Sequence, residues 1–421
     1  MRDLFAAVDV GVERGRVVVG RLDDAGVSLR EVHRFANPTV RLDGTVRWNI
    51  QRLFGEILAG LSTAARAHPG RLASLAIDAW GMDFGLLDLR GRLLGDPYHH
   101  RDSRTDGVPA RLHGRVPEAE LWAATGTQAV PTDTLHQLDA MRWRRSSTLH
   151  RAARLLLIPD LLASWLCGVE VAEHTIASTT GCYDPGTRTW TAPLLGCARI
   201  PLHLFPPVVP PATVLGLVNV ARGRRAGLAG VQVVAAAGHD SAAAVAVVPP
   251  EPASLVCLGA GPSSLVGTVI AAPIRTEAAW KLGLTNAGAV DGAVWLHRRV
   301  VVPGGAAQVS GIALEHRRAL RELEELLGQR LGIVHMLGEG ARDALLCQRT
   351  ADACGRPVLA GPVEAAALGN VLAQAVATGA CATWREARAL ASSASSPVRY
   401  EPRDAGVRLE PVFEVPLPAS R

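Results

Sequence analysis

The sequence LFAAVDVGVERGRVVVGR spans residues 4–21 and decides the fold of the first half of the chain. An apolar run ends just after an acid, Asp9, and is followed by a glycine-containing turn and a second apolar run, which is typical of two buried strands joined by a tight turn. A similar pattern, SLVCLGAGPSSLVGTVI, restarts at residues 254–270 after the proline-rich segment 249–252. The sequence therefore predicts two domains, the second beginning like the first, and an internal duplication.

Strand and helix patterns alternate in both halves of the chain. We predict strands at 17–21, 27–35, 72–79 and 231–237, and helices at 50–67, 241–247 and 310–328, because apolar residues recur there at the corresponding spacing. This alternation predicts α/β domains with mixed sheets and a cleft between them, with boundaries at residues 1–248 and 249–421.

Composition excludes several classes of function. The 421 residues are 48% hydrophobic and 20% charged, which suits a folded chain with sizeable cores. The net charge of +5 is spread thinly, without a basic block, so no nucleic-acid partner is expected. The apolar stretch near 231–248 is interrupted by His239 and Asp240, so no membrane span is expected. Seven cysteines without CxxC pairing favour a reducing compartment, and we expect a cytoplasmic protein.

The first segment that carries chemistry is the turn from Asp9 to Arg16, whose middle residues are Val12, Glu13, Arg14 and Gly15. Successive backbone N–H groups in such a turn can bind phosphate, and the preceding acid can face a phosphate-bound Mg²⁺ through water. An ordinary hairpin is the alternative interpretation, since Asp and Gly are common turn residues.

The second segment, Asp78-Ala-Trp-Gly-Met-Asp83, lies between two predicted strands. Trp80 offers a flat face for a sugar ring, and Gly81 allows the backbone to approach sugar hydroxyls closely. A core tryptophan beside a tight turn explains the same pattern equally well.

The third segment is Gly-His-Asp-Ser at residues 238–241, where a buried strand meets a helix. Asp240 could simply cap the helix. However, the ends of strands in α/β folds are also where ligands bind, and a carboxylate there can accept a proton from a hydroxyl that attacks a γ-phosphate. His239 is placed to hydrogen-bond the same sugar, although a lone histidine is more often a structural donor.

The fourth segment contains two glycine-rich turns, around Gly338–Gly340 and at 360–369, on either side of a predicted helix that ends at Cys354. Small residues at these turns allow either an adenine slot or a tightly packed pair of helices.

These four segments, in this order and spacing, resemble the FGGY carbohydrate kinases, and rhamnulokinases in particular. The likeness covers nearly the whole chain. It is carried by residues 30–35, 77–84, 98–105, 157–161, 175–180, 238–240, 351–355 and 360–365.

The resemblance implies two actin-like, ribonuclease-H-like ATPase domains that bind ATP, Mg²⁺ and a small sugar, and transfer phosphate to the 1-hydroxyl of L-rhamnulose. By position, Asp240 would be the catalytic base. The remaining assignments are as follows: Asp78, Trp80, Gly81, His239 and Ser241 to sugar; Val12, Glu13, Arg14, Gly15, Arg16, Gly261, Gly338 and Gly340 to nucleotide; and Asp9 to metal through water.

The departures from the family pattern lie mainly on the nucleotide side. Glu13 and Arg14 stand where relatives have small residues, often serines, so a negative charge would face polyphosphate. Pro262 lies in the second phosphate turn, 260–264, and has no N–H to donate. Glu339 interrupts a triple glycine, and a helix and insertion of relatives are missing near 300–308.

Three hypotheses follow from these patterns. The first is an active rhamnulokinase-like enzyme, and the second is an inactive relative that binds sugar or regulates a partner. The third is an FGGY kinase for another ketose or polyol, because the identity of the sugar depends on few hydroxyl contacts.

Overall fold

The computed structural model describes residues 4–23, 26–259, 263–302, 308–394 and 397–403. The chain packs into two compact units. Unit 1 comprises Met1–Pro249, Ile270–Leu296 and Ala365–Ser395, and unit 2 comprises Pro250–Val269, His297–Glu364 and Ser396–Arg421. Both units are discontinuous in sequence, so two late segments of the chain complete the unit that begins at the N-terminus.

The strands, in chain order, are β1 (Leu4–Val10), β2 (Arg14–Asp23), β3 (Gly26–Ala36), β4 (Thr39–Leu42), β5 (Thr45–Trp48), β6 (Leu72–Ala79), β7 (Phe84–Leu87), β8 (Arg154–Leu157), β9 (Ala172–Glu173), β10 (Tyr183–Asp184), β11 (Thr189–Trp190), β12 (Val208–Val209), β13 (Thr213–Leu217), β14 (Gln232–Ala235), β15 (Ser254–Leu258), β16 (Ser263–Ile270), β17 (Thr285–Gly288), β18 (Val294–Val301), β19 (Ile333–Leu337), β20 (Val358–Ala360) and β21 (Val398–Tyr400).

The α-helices are α1 (Ile50–Ala67), α2 (Val108–His113), α3 (Glu118–Thr125), α4 (Thr134–Trp143), α5 (Ser147–Arg151), α6 (Ile158–Cys167), α7 (His174–Ala177), α8 (Ala192–Ala198), α9 (Val220–Ala226), α10 (Asp240–Val245), α11 (Glu277–Lys281), α12 (Gln308–Leu327), α13 (Ala344–Cys354), α14 (Ala365–Ala377) and α15 (Trp384–Ala394). Short 3₁₀ turns occur at Ser103–Thr105, Leu202–Leu204, Val290–Gly292 and Gly338–Arg342. Among the residues described, no helix is both long and apolar enough to cross a membrane.

Unit 1 is organised around a six-stranded mixed sheet with the order β13-β14-β6-β1-β2-β3. Its three central strands, β14, β6 and β1, are parallel, whereas β2, β3 and β13 pair antiparallel with their neighbours. The sequence of β1 is continuously apolar up to Asp9 because both faces of a central strand are buried. The carboxyl ends of the three parallel strands therefore meet at one edge of the sheet.

Helices α1, α6, α14 and α15 pack against strands of this sheet. Helix α1 contacts β2 and β3, and its buried face includes Leu53, Ile57 and Leu61 at helical spacing. Helix α14 comes from the late part of the chain and contacts β1 and β6. Its apolar, small side chains are almost all buried, as expected for a helix enclosed by other elements.

Unit 2 repeats the opening pattern of unit 1. Strand β15 pairs antiparallel with β16 and parallel with β19, as β1 does with β2 and β6. Strands β20 and β21 extend the order beyond β19. Helices α12 and α13 pack against each other in this unit, and Leu320 and Leu323 of α12 are buried.

Several predicted elements agree with the structure. Helix α1 and strand β6 have the predicted bounds, 50–67 and 72–79. The helix predicted at 241–247 begins one residue earlier, so Asp240 is its first helical residue and His239 occupies the N-cap position. This shift matters because it places the candidate base inside the first turn.

Candidate active site

Three carboxylates lie at the carboxyl ends of three neighbouring parallel strands. Asp9 on β1 is directly opposite Asp78 on β6 in the strand register. Ala79 forms a parallel bridge with His239, and its N–H donates a 2.9 Å hydrogen bond to the carbonyl oxygen of Gly238. Asp240 follows immediately, so the register brings Asp9, Asp78 and Asp240 to one edge of the sheet, where α/β proteins place their ligands.

These three carboxylates differ in how far they reach solvent. The Asp78 side chain is fully buried, that of Asp9 is 14% exposed and that of Asp240 is 34% exposed. Burial raises the pKa of all three carboxyls; Asp9 also raises the pKa of Asp78, and Asp240 raises the pKa of both others. Arg16 opposes this at Asp9, because its Nε and Nη2 donate hydrogen bonds of 2.9 and 2.8 Å to Oδ2. The three acids thus form one electrostatically linked group, with Asp240 its most exposed member.

A chain of amides from α14 holds Asp78. Nδ2 of Asn370 donates a 2.6 Å hydrogen bond to Oδ1 of Asp78, and Oδ1 of Asn370 accepts one of 2.7 Å from Nε2 of Gln374. Gln374 also donates to the carbonyl oxygen of Ala6 and accepts from the hydroxyl of Ser74. The sequence predicts a direct contact of Asp78 with sugar, but its side chain is completely buried, and it supports the strand end beside Asp9.

Helix α14 also fixes the helix that begins with Asp240. At Gly369 a Cβ atom would lie 1.8 Å from the carbonyl oxygen of Ala243 on α10, a separation that no side chain can occupy. Only glycine therefore permits this close crossing of α10 and α14. One helix thus sets the positions of both Asp78 and Asp240.

The Asp240 carboxylate is oriented by its neighbour in the chain. Oδ1 accepts hydrogen bonds from the backbone N–H of Ser241 at 2.5 Å and from its hydroxyl at 3.0 Å. These donors lower the pKa of Asp240, against the larger effect of burial, which raises it. A carboxylate with a raised pKa is a better proton acceptor near neutral pH than an ordinary aspartate.

His239 is neutral and lies beside this carboxylate. Burial lowers its pKa to about 4, and its Nε2 is 3.5 Å from Oδ1 of Asp240. Its Nδ1 is buried and has no hydrogen-bond partner within the described part of the chain. A polar ligand that donates or accepts a hydrogen bond at Nδ1 would remove the cost of this unsatisfied atom.

The turn after β6 is held in an uncommon conformation. Met82 has φ +76°, which a residue with a side chain rarely adopts. Thr179 Oγ1 accepts a 3.0 Å hydrogen bond from the N–H of Met82, and the hydroxyl of Thr134 donates one of 2.6 Å to its carbonyl oxygen. At Gly81 a Cβ atom would lie 2.8 Å from Thr179 Oγ1, so the turn requires glycine there.

Trp80 lies in a buried aromatic group rather than on an open face. Its ring centroid is 4.3 Å from that of Trp48, and both indole N–H groups donate to Oδ2 of Asp83, at 3.0 and 2.7 Å. Asp83 is fully buried and also accepts from the N–H of His100 and from Gln137. The predicted stacking of Trp80 on a sugar is wrong, because its ring is buried. Its hydrogen bond to Asp83 instead supports the turn that carries Gly81.

The turn from Asp9 to Arg16, which is predicted to bind phosphate, is exposed at residues 13 and 14 and packed at Gly15. Glu13 and Arg14 are exposed, Val12 and Arg16 are half-buried, and the N–H of Gly11 donates a 2.8 Å hydrogen bond to the carbonyl oxygen of Arg14. A Cβ at Gly15 would lie 2.2 Å from the ring of Phe35. Packing against Phe35 therefore explains this glycine without any nucleotide.

The two described glycines of unit 2 that are predicted to contact nucleotide are each explained by the local structure. Gly338 has φ +68°, and a Cβ at Gly340 would lie 2.5 Å from the carbonyl oxygen of Gly259. The carboxylate of Glu339 is well exposed and lies 3.3 Å from Arg342. Gly261 lies outside the described residues.

The donor set at the strand ends suits magnesium. Mg²⁺ prefers oxygen ligands and is usually held by one or two carboxylates together with phosphate and water. Within the described ranges no group of three or more His, Cys, Asp or Glu side chains is arranged to hold a metal ion on its own. Acids that raise the pKa of a neighbouring acid, as Asp240 does at Asp9 and as both do at Asp78, form the kind of site that a dication would neutralise.

A cavity of about 1000 Å³ lies elsewhere in unit 1. Its lining includes Asp88, Arg154, Glu170, Trp190 and Phe205, and none of the predicted site residues. The carboxylates whose pKa is perturbed lie away from this cavity, at the strand ends.

Several residues that shape the site were missed from the sequence, namely Asn370, Gln374, Asp83, Thr179 and Glu173. One signal was available: Asn370 and Gln374 are four positions apart in an otherwise apolar, small-residue helix. Amides at that spacing share one helix face and so indicate a buried polar contact. Asp83 and Thr179 lie in stretches that carry the family resemblance, although no role was predicted for either, and Glu173 carries no comparable pattern.

Comparisons with known proteins were made by sequence and by structure. The N-terminal domain model of the FGGY family of carbohydrate kinases matches residues 4–246, and the C-terminal domain model matches residues 305–378. The rhamnulokinase of Bacteroides thetaiotaomicron is 31% identical over 471 aligned residues, covering 96% of this chain and 97% of that protein. The rhamnulokinase of Pectobacterium carotovorum is 32% identical, covering 95% and 93%.

Solved structures agree on the fold at low identity. The xylulose kinase of Lactobacillus acidophilus superimposes with a TM-score of 0.80 at 13% identity, covering 95% of this chain and 94% of the other. The glycerol kinase of Plasmodium falciparum, solved with ADP, gives 0.78 at 11% identity with the same coverage. The two α/β units thus have the actin-like ATPase architecture of these sugar kinases.

Proposed function

Because the chain belongs to the FGGY family of carbohydrate kinases, and so to the phosphotransferases, we propose that it transfers the γ-phosphoryl group of ATP to a ketose, with L-rhamnulose as substrate and L-rhamnulose 1-phosphate as product. The observation that carries the proposal is the Asp240 carboxylate. It lies at the end of a central parallel strand, its pKa is raised, and it is the most exposed of the three grouped acids.

In this mechanism Asp240 is the general base. It accepts the proton of the attacking sugar hydroxyl as the new O–P bond to the γ-phosphorus forms and the bond from that phosphorus to the β–γ bridging oxygen breaks. Neutral His239 offers Nδ1 to a sugar hydroxyl. Ser241 keeps Oδ1 of Asp240 oriented, which leaves the other carboxylate oxygen to face the substrate.

The remaining residues bind or support. The N–H groups of the turn from Val12 to Arg16 would bind phosphate oxygens, and Asp9 would help to hold a phosphate-bound Mg²⁺ through water. When bound, Mg²⁺ would neutralise charge on the phosphates. Gly81 would let the backbone approach the sugar. Asp78 and Trp80 support the segment around Gly81 through their hydrogen bonds with Asn370 and Asp83.

A second candidate function is favoured by the nucleotide side. Glu13 is exposed in the proposed phosphate-binding turn, where it would repel polyphosphate. An inactive homologue that binds sugar, as a sensor or regulator, would tolerate this charge. A third candidate, a kinase for another ketose or polyol, needs only different hydroxyl contacts around Gly81 and His239.

A coupled ADP-release assay separates these candidates. The purified chain is incubated with ATP, Mg²⁺ and a panel of ketoses and polyols that includes L-rhamnulose, and a reaction without sugar measures background hydrolysis. Turnover that requires L-rhamnulose supports the proposal, and faster turnover with another sugar supports the third candidate. No turnover, together with no ATP-induced rise in melting temperature, supports the inactive homologue.

The unpaired cysteines suit a reducing compartment, and we place the enzyme in the cytoplasm.

A further inference from the structure

Glu173 is a buried carboxylate that none of the predicted roles uses. Only 1% of the residue is exposed, and its carboxylate accepts four hydrogen bonds. Oε1 accepts from the N–H of Thr175 at 2.9 Å, and Oε2 accepts from the hydroxyl of Thr175 at 2.6 Å, from the N–H of Ile176 at 3.2 Å and from the N–H of Gly238 at 2.8 Å. The first three close the first turn of α7, whereas the fourth reaches a strand end 65 positions later.

Thr175 extends this connection by one residue. Its Oγ1 accepts a 3.1 Å hydrogen bond from the N–H of His239, and its hydroxyl proton goes to Oε2 of Glu173. The direction is fixed, because a backbone N–H can only donate. The two consecutive peptide N–H groups that precede Asp240 are therefore both held by Glu173, one directly and one through Thr175.

Glu173 is itself held on its other side. Its N–H donates a 3.2 Å hydrogen bond to Oδ1 of Asp160 in the first turn of α6. There is also little room behind the strand end, since a Cβ at Gly238 would lie 3.0 Å from Oε2 of Glu173. The Glu173 carboxylate is thus held in place, and it restrains the backbone of residues 238 and 239.

We propose that Glu173 is a positioning residue for the reaction: through Gly238, and through Thr175 and His239, it fixes the backbone from which the Asp240 carboxylate projects. The inference rests on the proposed role of Asp240. Its physical basis is that a small displacement of a catalytic group lowers the rate far more than it lowers substrate affinity.

Three substitutions test this inference. Glu173→Gln replaces an acceptor-only carboxylate by an amide whose NH₂ group must face donors. Thr175→Val removes the relay while keeping the shape of the side chain, and Thr175→Ser keeps the hydroxyl as the matched control. Amide hydrogen exchange is measured at single-residue resolution at Gly238 and His239, with Val8 and Ile77 in the same sheet as references.

In Glu173→Gln we expect the amides of Gly238 and His239 to exchange at least about tenfold faster, with the references unchanged. In Thr175→Val only the amide of His239 should exchange faster, and in Thr175→Ser both amides should exchange at the wild-type rate. With L-rhamnulose as the sugar, kcat of Glu173→Gln should fall by about 10-fold to 100-fold, while KM for ATP stays within about twofold.

Two results would overturn the inference. One is exchange at 238 and 239, and kcat, indistinguishable from wild type in Glu173→Gln. The other is equal acceleration at Val8 and Ile77, which would make Glu173 a general stabiliser of the unit. A wild-type chain without sugar-dependent turnover would refute the proposed function instead, and the exchange measurement would still decide whether Glu173 holds the strand end.

Discussion

The amide of Asn370 donates a 2.6 Å hydrogen bond to Oδ1 of Asp78, across 292 positions of sequence, and this contact ties a late helix to the strand end beside Asp9. Both side chains are fully buried. A buried carboxylate that loses its donor retains the full cost of leaving water, so this relationship has a measurable consequence for stability.

Substituting Asn370→Leu should lower the free energy of unfolding by about 1–3 kcal/mol, because Oδ1 of Asp78 is left buried without its donor. Urea denaturation measures this loss. A double variant with Asp78→Val removes both partners and should lose less than the sum of the two single variants. Strict additivity would mean that the hydrogen bond contributes nothing to folding.

Substituting Gly81→Ala should displace the turn that carries Met82, because the new Cβ would meet Thr179 at 2.8 to 2.9 Å. We expect a loss of about 1–3 kcal/mol in stability and a lower kcat/KM for sugar. The matched control is Gly55→Ala on the exposed face of α1, where a Cβ would contact nothing within 4 Å. That control should gain about 0.5–1 kcal/mol, as alanine favours helix. Equal effects of the two substitutions would contradict the packing argument.

Asp133 predicts a dependence of stability on pH. Burial raises the pKa of its carboxyl to about 8, from an ordinary value of 3.8. Between these values the folded protein keeps a proton that the unfolded chain has released, so the stability contributed by this group falls as pH rises from about 4 to about 8. Asp133→Asn cannot titrate, and its melting temperature relative to wild type should therefore increase between pH 5 and pH 8.5.

The control for this measurement is Asp139→Asn. Asp139 is held by Arg111, Arg115 and Arg142, whose hydrogen bonds lower its pKa against the opposing effect of burial. The stability that Asp139 contributes is present at every pH above the pKa of the unfolded chain. The fall in melting temperature caused by Asp139→Asn should therefore be similar at pH 5 and at pH 8.5. A melting difference for Asp133→Asn that is flat with pH would refute the assignment of a raised pKa.

Glu13 should weaken nucleotide binding through its charge. Glu13→Ser removes a negative charge from the proposed phosphate-binding turn, and KM for ATP should fall by about threefold to tenfold at low salt and by less at high salt. Glu120→Ser, an exposed acid on α3, serves as the control and should leave KM unchanged. No effect of Glu13→Ser at any ionic strength would place this turn away from the phosphates.

Local patterns predicted much of the fold. The bounds of α1 and β6 follow from apolar spacing, because the side chains that face the core repeat with the period of the element. The positions of Asp9 and Asp240 at strand ends were also predictable, since each acid interrupts an apolar run.

Other features depend on contacts that no local pattern contains. The partner of Asp78 lies on a distant helix, and the reason for Gly15 is the ring of Phe35 on another strand. Trp80 was predicted to face sugar, because sequence alone does not distinguish a buried indole from an exposed one; its N–H is bound to Asp83. The same holds for Glu173, whose link to Gly238 exists only after folding.

The most direct test of the account is kcat of Asp240→Asn in the sugar-dependent ADP-release assay, with the exposed acid variant Asp106→Asn as control. Asparagine preserves shape but accepts no proton, so kcat should fall by about 10²- to 10⁴-fold, while ATP still raises the melting temperature as it does in wild type. Turnover by Asp240→Asn within a few-fold of wild type would show that another group takes the proton and would contradict the account.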